Sequence, residues 1–198
     1  FDPGFATEPN APDGSGEFWP YLRDAVTLAR PWAVPGTPGL EHRIGGLEKA
    51  DGRGGISYDP DNHDQMVRLR GAKIDGIPVP DVEVDDPDGP DNGAELLVLG
   101  WGSTYGPIGA GARRVRALGH KVAQAHLRHL NPLPANLGDV LARYRTVVVP
   151  EMNLGQLATV LRARYLVDVK SYTKVSGLPF KAEELQDLFL DYLNGVRA

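Results

Sequence analysis

The chain has 198 residues, 41% of them hydrophobic and 24% charged, with a formal net charge of −5 and an isoelectric point near 5.5. That is ordinary globular composition, enough for one sizeable core and a second small unit. The acidic balance excludes the basic stripe of a nucleic-acid surface. The absence of cysteine excludes disulfides and thiolate-held zinc or iron–sulfur clusters in this chain.

No apolar run approaches the roughly 18 residues of a membrane span, and no charged-then-apolar signal opens the sequence. A cytoplasmic protein with neither membrane nor nucleic-acid partners is therefore expected. Phe1 stands where a methionine is expected, and FDPGFATEPNAPDGSGEFWPYL is too rich in Gly, Pro and Asp to pack by itself. Phe1 reads as a cut or cloning boundary.

In chain order, residues 1–75 offer one helix. Asp59-Pro60-Asp61-Asn62 supplies a cap and first-turn acids, and HDQMVRLRGAKIDG then carries Met66, Val67, Leu69 and Ile74. Too little apolar periodicity precedes it for an independent core, so this part should pack on a surface outside the chain. Residues 76–93, GIPVPDVEVDDPDGPDNG, read as an exposed acidic linker. Asp85, Asp86, Asp88 and Asp91 lack the closing Glu of a calcium loop.

From residue 94 the pattern changes. Ala94-Glu95-Leu96-Leu97-Val98-Leu99-Gly100 is a short run, apolar after Glu95, as in a strand buried on both faces. Gly106–Leu118 predicts a helix with Ile108, Ala112, Val115 and Leu118 inward and Arg113, Arg114 and Arg116 outward, ended by Gly119. A strand over 121–127, a helix over 136–143, a strand over 146–150, a helix over 154–165, a short strand over 166–169 and an amphipathic helix over 183–193 follow. Strand–helix alternation with short connections predicts a doubly wound, mostly parallel α/β sheet over 94–198.

Three segments could carry chemistry. Gly100-Trp101-Gly102-Ser103-Thr104-Tyr105-Gly106 lies between strand and helix, where open α/β sheets bind ligands and free helix N–H groups favour anions. It is neither GxGxxG nor a P-loop, and a tight turn with Ser103 or Thr104 as a helix cap explains it equally. Glu151 and Asn153 lie just past a buried strand, with Asn153 placed to cap the helix carrying Gln156. The alternatives there are a polar crevice or a cap plus a subunit contact. Gly36–Lys49, with Thr37, His42, Arg43 and Glu48, is a loop fixed by Gly and Pro. Arg43 could grip a carboxylate bidentately, or pair with Glu41, Glu48 or a neighbouring subunit. The five histidines show no metal spacing, so no metal ligands and no catalytic residues are assigned.

Two stretches together resemble a known family. PGTPGLEHRIGGLEKADGRGGISYDPDNHDQMVRLRGAKIDG resembles the end of the thiamine-diphosphate pyrimidine-type domain of 2-oxoacid:ferredoxin oxidoreductase alpha subunits, with Lys49 where the family usually has His. LVLGWGSTYGPIGAGARRVRALGHKVAQAHLRHLNPLP and VVVPEMNLGQLATVLRARYLVDVKSYTKVSGLPF resemble the transketolase C-terminal-like α/β domain that follows it.

The resemblance implies a domain tail over 1–75, a linker over 76–93 and the α/β domain over 94–198. It implies part of an enzyme, of the 2-oxoglutarate type, that oxidatively decarboxylates a 2-oxoacid to an acyl-CoA while reducing ferredoxin. Pyruvate or another 2-oxoacid is the alternative substrate. Thiamine diphosphate, Mg2+ and a 4Fe–4S cluster are expected in the complex, mainly on the beta subunit, and none on this chain alone. The implied partners are the beta subunit, the rest of the alpha subunit, ferredoxin and coenzyme A. The family's Y-P-I-T-P-S motif is absent, so the isolated chain should be inactive. Arg43, Thr37 and His42 are the substrate-side candidates; Gly102, Ser103, Thr104, Glu151, Asn153 and Gln156 are candidates for a subunit contact or crevice. A non-catalytic α/β interaction or anion-binding module is the competing reading.

Overall fold

The computed structural model describes residues 4–89 and 93–197. Phe1 and Asp91, considered above, lie outside the described residues. The chain divides into two compact units, one running to Pro78 and the other starting at Val79.

The first unit is mostly loop. Its helix α1 (Pro60–Asp75) begins where the sequence places it, because the Asp59 side chain accepts a hydrogen bond from the Asp61 N–H and Pro60 needs no donor there. Met66 is its one fully buried residue. Isolated bridges, Tyr21 with Gly52 and Lys49 with Ile56, tie the loops together. Leu40 and Met66 are the buried hydrophobic side chains of this unit among the described residues.

The second unit is a five-stranded sheet in the order β1-β3-β2-β4-β5. Strands β2 (Leu96–Trp101), β3 (Val122–Leu127), β4 (Thr146–Glu151) and β5 (Val169–Thr173) are parallel, and β1 (Val84–Asp85) is antiparallel to β3. Helices α2 (Tyr105–Ala117) and α5 (Ala182–Leu193) cover one face; α3 (Leu137–Ala142) and α4 (Gln156–Tyr165) cover the other. The central strands serve both layers by alternation. Leu96 and Val98 join the core under α2 and α5, whereas Leu97 and Leu99 join the core under α3 and α4. This is the doubly wound α/β arrangement expected for the second half.

The structure departs from the sequence reading at the end of α2, where Leu118, expected inward, is exposed and Arg116, expected outward, is half-buried, and at both edges of the sheet. Part of the expected linker belongs to the sheet. Val82 is buried, and Val84 and Asp85 pair with Ala125 and Gln124. The alternation Val82-Glu83-Val84-Asp85 is a strand pattern obscured by its acids. Three clamps hold it: Asn136 exchanges two hydrogen bonds with the Val82 backbone, Arg116 donates to the Asp85 carboxylate and carbonyl, and Gln124 donates to the same carboxylate. The last strand also starts at Val169, three residues later than expected. Leu166 ends α4 in the left-handed conformation (φ 55°), so Leu166 and Val167 are spent on the turn and register begins with Val147 opposite Val169.

Candidate functional site

The carboxyl ends of β2 and β4 bring the two motif segments of the second unit together. Strand β4 ends on Glu151, which is completely buried. Its carboxylate accepts from the Leu157 N–H (2.9 Å) and Ala158 N–H (3.0 Å) of α4, from the Asn153 amide (3.1 Å) and from the Trp101 indole N–H (3.3 Å). A buried carboxylate is tolerated only with such donors, and the positive end of α4 adds to them. Asn153 turns its other end to the backbone, where its carbonyl oxygen accepts from Gly155 and Gln156 N–H.

Gly155 sits at φ +88°, and a Cβ there would come within 2.8 Å of the Ser171 hydroxyl oxygen, so only glycine fits this turn. The expected crevice acid thus caps a helix and anchors Trp101. Across the gap, the Ser103 hydroxyl contacts the Met152 sulfur at 3.7 Å. Thr104 does not cap α2. Its hydroxyl accepts from the Trp101 N–H and donates to the Trp101 carbonyl, closing the Gly102–Thr104 turn on itself. The Gln156 side chain is exposed.

Beside this lies a groove of about 460 Å3 that the sequence reading did not single out. Residues 80–85 form one wall; Tyr105, Gln124, His126 and Arg128 form the other. His126 stands edge-on to Tyr105 with ring centroids 5.0 Å apart. Burial first, and then the Arg128 charge, push its pKa below the usual imidazole value. Gly100 makes room for it, since a Cβ there would lie 3.2 Å from the His126 ring nitrogen. The cue was the strand alternation, which turns His126 toward the α2 side.

In the first unit, the Thr37 hydroxyl donates to the Val34 carbonyl (2.7 Å), and His42 Nδ1 bonds the Leu40 carbonyl (2.7 Å) with Phe18 edge-on to its ring. Both side chains shape the loop. Arg43 is exposed and makes no ion pair among the described residues. Glu48, one of its candidate partners, is taken by Arg70 (3.1 Å) and His63 (2.8 Å). Those two neighbours, Arg70 before His63, hold the Glu48 carboxyl down at about 2. Lys49, at the family's usual His position, is buried, and its ammonium donates to the Gly45 and Leu47 carbonyls. The structure therefore leaves Arg43 free in its loop and spends the polar groups of Thr37 and His42 locally.

No protein-family model matches the chain. It is 69% identical over 168 residues, 85% of its length, to the 2-oxoglutarate oxidoreductase subunit KorA of Mycobacterium tuberculosis. The chain is homologous to part of a 2-oxoacid:ferredoxin oxidoreductase alpha subunit. A second relative, the alpha subunit of 2-oxoacid:ferredoxin oxidoreductase 1 from Aeropyrum pernix, is 30% identical over 192 residues, 92% of the chain. Among solved structures, the 2-oxoglutarate:ferredoxin oxidoreductase from Magnetococcus marinus, with 2-oxoglutarate, coenzyme A and succinyl-CoA bound, matches with a TM-score of 0.75 and 32% identity, over 90% of this chain and 31% of that one. The chain spans 25% of the length of the mycobacterial relative and 29% of the archaeal one.

The chain has no cysteine, and the described residues contain no group of three or more His, Asp or Glu able to hold a metal ion. Nor is any helix among the described residues long and apolar enough to cross a membrane.

Proposed function

We propose that this chain is part of the alpha subunit of a thiamine-diphosphate-dependent 2-oxoglutarate:ferredoxin oxidoreductase, which oxidatively decarboxylates the 2-oxoacid to its acyl-CoA and passes the electrons to ferredoxin. The observation that carries the reading is the 69% identity to KorA over 168 residues. The fold match to the enzyme that holds 2-oxoglutarate and coenzyme A supports it. Thiamine diphosphate, Mg2+ and the 4Fe–4S cluster reside mainly on the beta subunit in this reading, and no step of the reaction runs through residues of the second unit. The work of that unit is assembly: Ser103 and Gln156, exposed at the carboxyl end of the sheet, face a neighbouring subunit, while Gly102, Thr104, Glu151 and Asn153 keep that end rigid.

In the first unit Arg43 faces the substrate. A 2-oxodicarboxylate needs a cation that pyruvate does not, and Arg43 is a guanidinium with no ion pair among the described residues, on a loop held by Thr37 and His42. The test is to produce the full-length subunit with its iron–sulfur partner and follow coenzyme A-dependent reduction of ferredoxin with 2-oxoglutarate and with pyruvate. Preference for 2-oxoglutarate supports the reading. Preference for pyruvate moves the substrate but keeps the chemistry. Reduction with neither, in a complex shown to hold thiamine diphosphate, overturns it in favour of a non-catalytic module.

A further inference from the structure

The first unit contains a second cationic feature, remote in sequence from Arg43 and independent of the reaction proposed above. Residues 24–29 form a tight loop closed at its neck: the Asp24 N–H donates to the Ala29 carbonyl (2.9 Å), and the Leu28 N–H donates to the Asp24 carbonyl (3.0 Å). The residues immediately outside that neck are Arg23 and Arg30, so closing the loop brings two arginines to its base, near enough for the charge of Arg30 to act on Arg23. Neither has a carboxylate partner among the described residues. The loop's own acid, Asp24, turns one oxygen, Oδ1, into the loop, where it accepts from Val26 N–H, Thr27 N–H and the Thr27 hydroxyl.

Both arginines are held in place by the protein. Arg23 donates from Nη1 to the Leu28 carbonyl (2.9 Å), and Arg30 lies over the Tyr21 ring with its guanidinium carbon 4.6 Å from the ring centre. The Tyr21 backbone is itself bridged to Gly52. Arg23 Nε is buried and has no hydrogen-bond partner. An unpaired donor on a partly buried cation, beside a second cation, is costly unless an anion completes it. Of the nearby acids, Asp51 acts on Arg23 through its charge but makes no ion pair with it, its Oδ2 accepting from the Gln65 amide, and Glu48 is held by Arg70 and His63. Burial, followed by the charge of Arg30, lowers the Arg23 pKa, with the charge of Asp51 acting the other way.

We propose that the neck of the 24–29 loop is a binding site for an oxyanion, a carboxylate or phosphate group, gripped between the guanidinium groups of Arg23 and Arg30. Paired guanidinium forks match the geometry of such groups bidentately. The anion is either a soluble ligand or a carboxylate side chain from polypeptide beyond this chain, and the experiment separates the two.

The full-length protein is titrated calorimetrically with inorganic phosphate and with succinate, at an ionic strength held constant with chloride. Arg23→Gln and Arg30→Gln are compared with wild type and with Arg164→Gln, an exposed arginine on α4. The expected result is saturable binding of at least one probe, weakened about tenfold or more by either neck substitution and unchanged in Arg164→Gln. Arg30→Lys, which keeps the charge but loses the fork, serves where Arg30→Gln does not fold, and it weakens binding several-fold. If wild type binds neither probe, a crystal structure of the full-length protein decides. A side-chain carboxylate bridging both guanidinium groups supports the site with an internal anion, and an empty neck overturns it. Binding unaffected by the neck substitutions overturns it as well. Because no step of 2-oxoacid chemistry is invoked, failure of the 2-oxoglutarate assay leaves this prediction standing, and the reverse.

Discussion

Single residues carry the sharpest consequences. Glu151 satisfies four donors from a fully buried position. Glu151→Ala strands two helix amides and an indole N–H, and should cost about 3 kcal/mol in denaturant unfolding, with Trp101 fluorescence reporting the loosened ring. Arg43→Ala, in the full complex, should raise KM for 2-oxoglutarate by about tenfold or more, the loss of a charged hydrogen bond of roughly 1.5–3 kcal/mol, with kcat little changed. Unchanged kinetics would remove Arg43 from the substrate site. Glu48 is the clearest titration. Its folded value of about 2 lies below its ordinary 4.5, so the folded state binds the proton more weakly than the unfolded one. Its contribution to stability is therefore complete above the ordinary value and is lost as pH falls from 4.5 toward 2. Carbon-detected NMR should find this carboxyl titrating near 2, and Arg70→Gln should move it up. The sequence displayed Glu48 only as one possible partner for Arg43. That it serves Arg70 and His63 instead depends on how α1 lies against the 36–49 loop, which no local pattern encodes.

At the scale of elements, helices and parallel strands were legible because their signals are local. Leu96–Gly100 is apolar at every position and is buried, and Asp59 and Asn153 are recognisable caps that cap as read. Two elements were less legible. Strand β1 is held by side chains 31 to 54 residues away in sequence, Arg116, Gln124 and Asn136, and its acids look like linker. Strand β5 is displaced by the left-handed Leu166, a position where glycine would have signalled the turn. Glycines inside helices give an opposed pair of expectations. At Gly111 a Cβ would lie 3.0 Å from Leu185 Cβ and 3.1 Å from Phe189, where α2 meets α5. Gly111→Val should destabilise by about 2 kcal/mol through overpacking. At Gly71, in α1, nothing lies within 4 Å of the added carbon, so Gly71→Ala should stabilise by about 0.5–1 kcal/mol. Thermal melts of both variants check the opposite signs.

For the molecule as a whole, the two units differ in how they are held. Up to Pro78 the buried hydrophobic side chains among the described residues are Leu40 and Met66, while Trp32, Val34, Ile44, Leu47 and Tyr58 are exposed; the continuous cores lie beyond Val79. Hydrogen exchange of this chain should show amides of residues 4–59 protected far less than those of β2, β3 and β4, and protection of the first unit should rise in the full complex. Equal protection of both units in the isolated chain would contradict that division. The sheet itself is finished on one side and unfinished on the other. The two-residue antiparallel β1, pinned by Arg116 through Asp85, is too short to template a neighbour, whereas β5 offers five residues of parallel edge guarded by the charge of Lys170. A stray strand, whether from a misassembled subunit or a half-folded copy, is therefore steered to the β5 side, and the chain's vulnerability to misassociation has a direction.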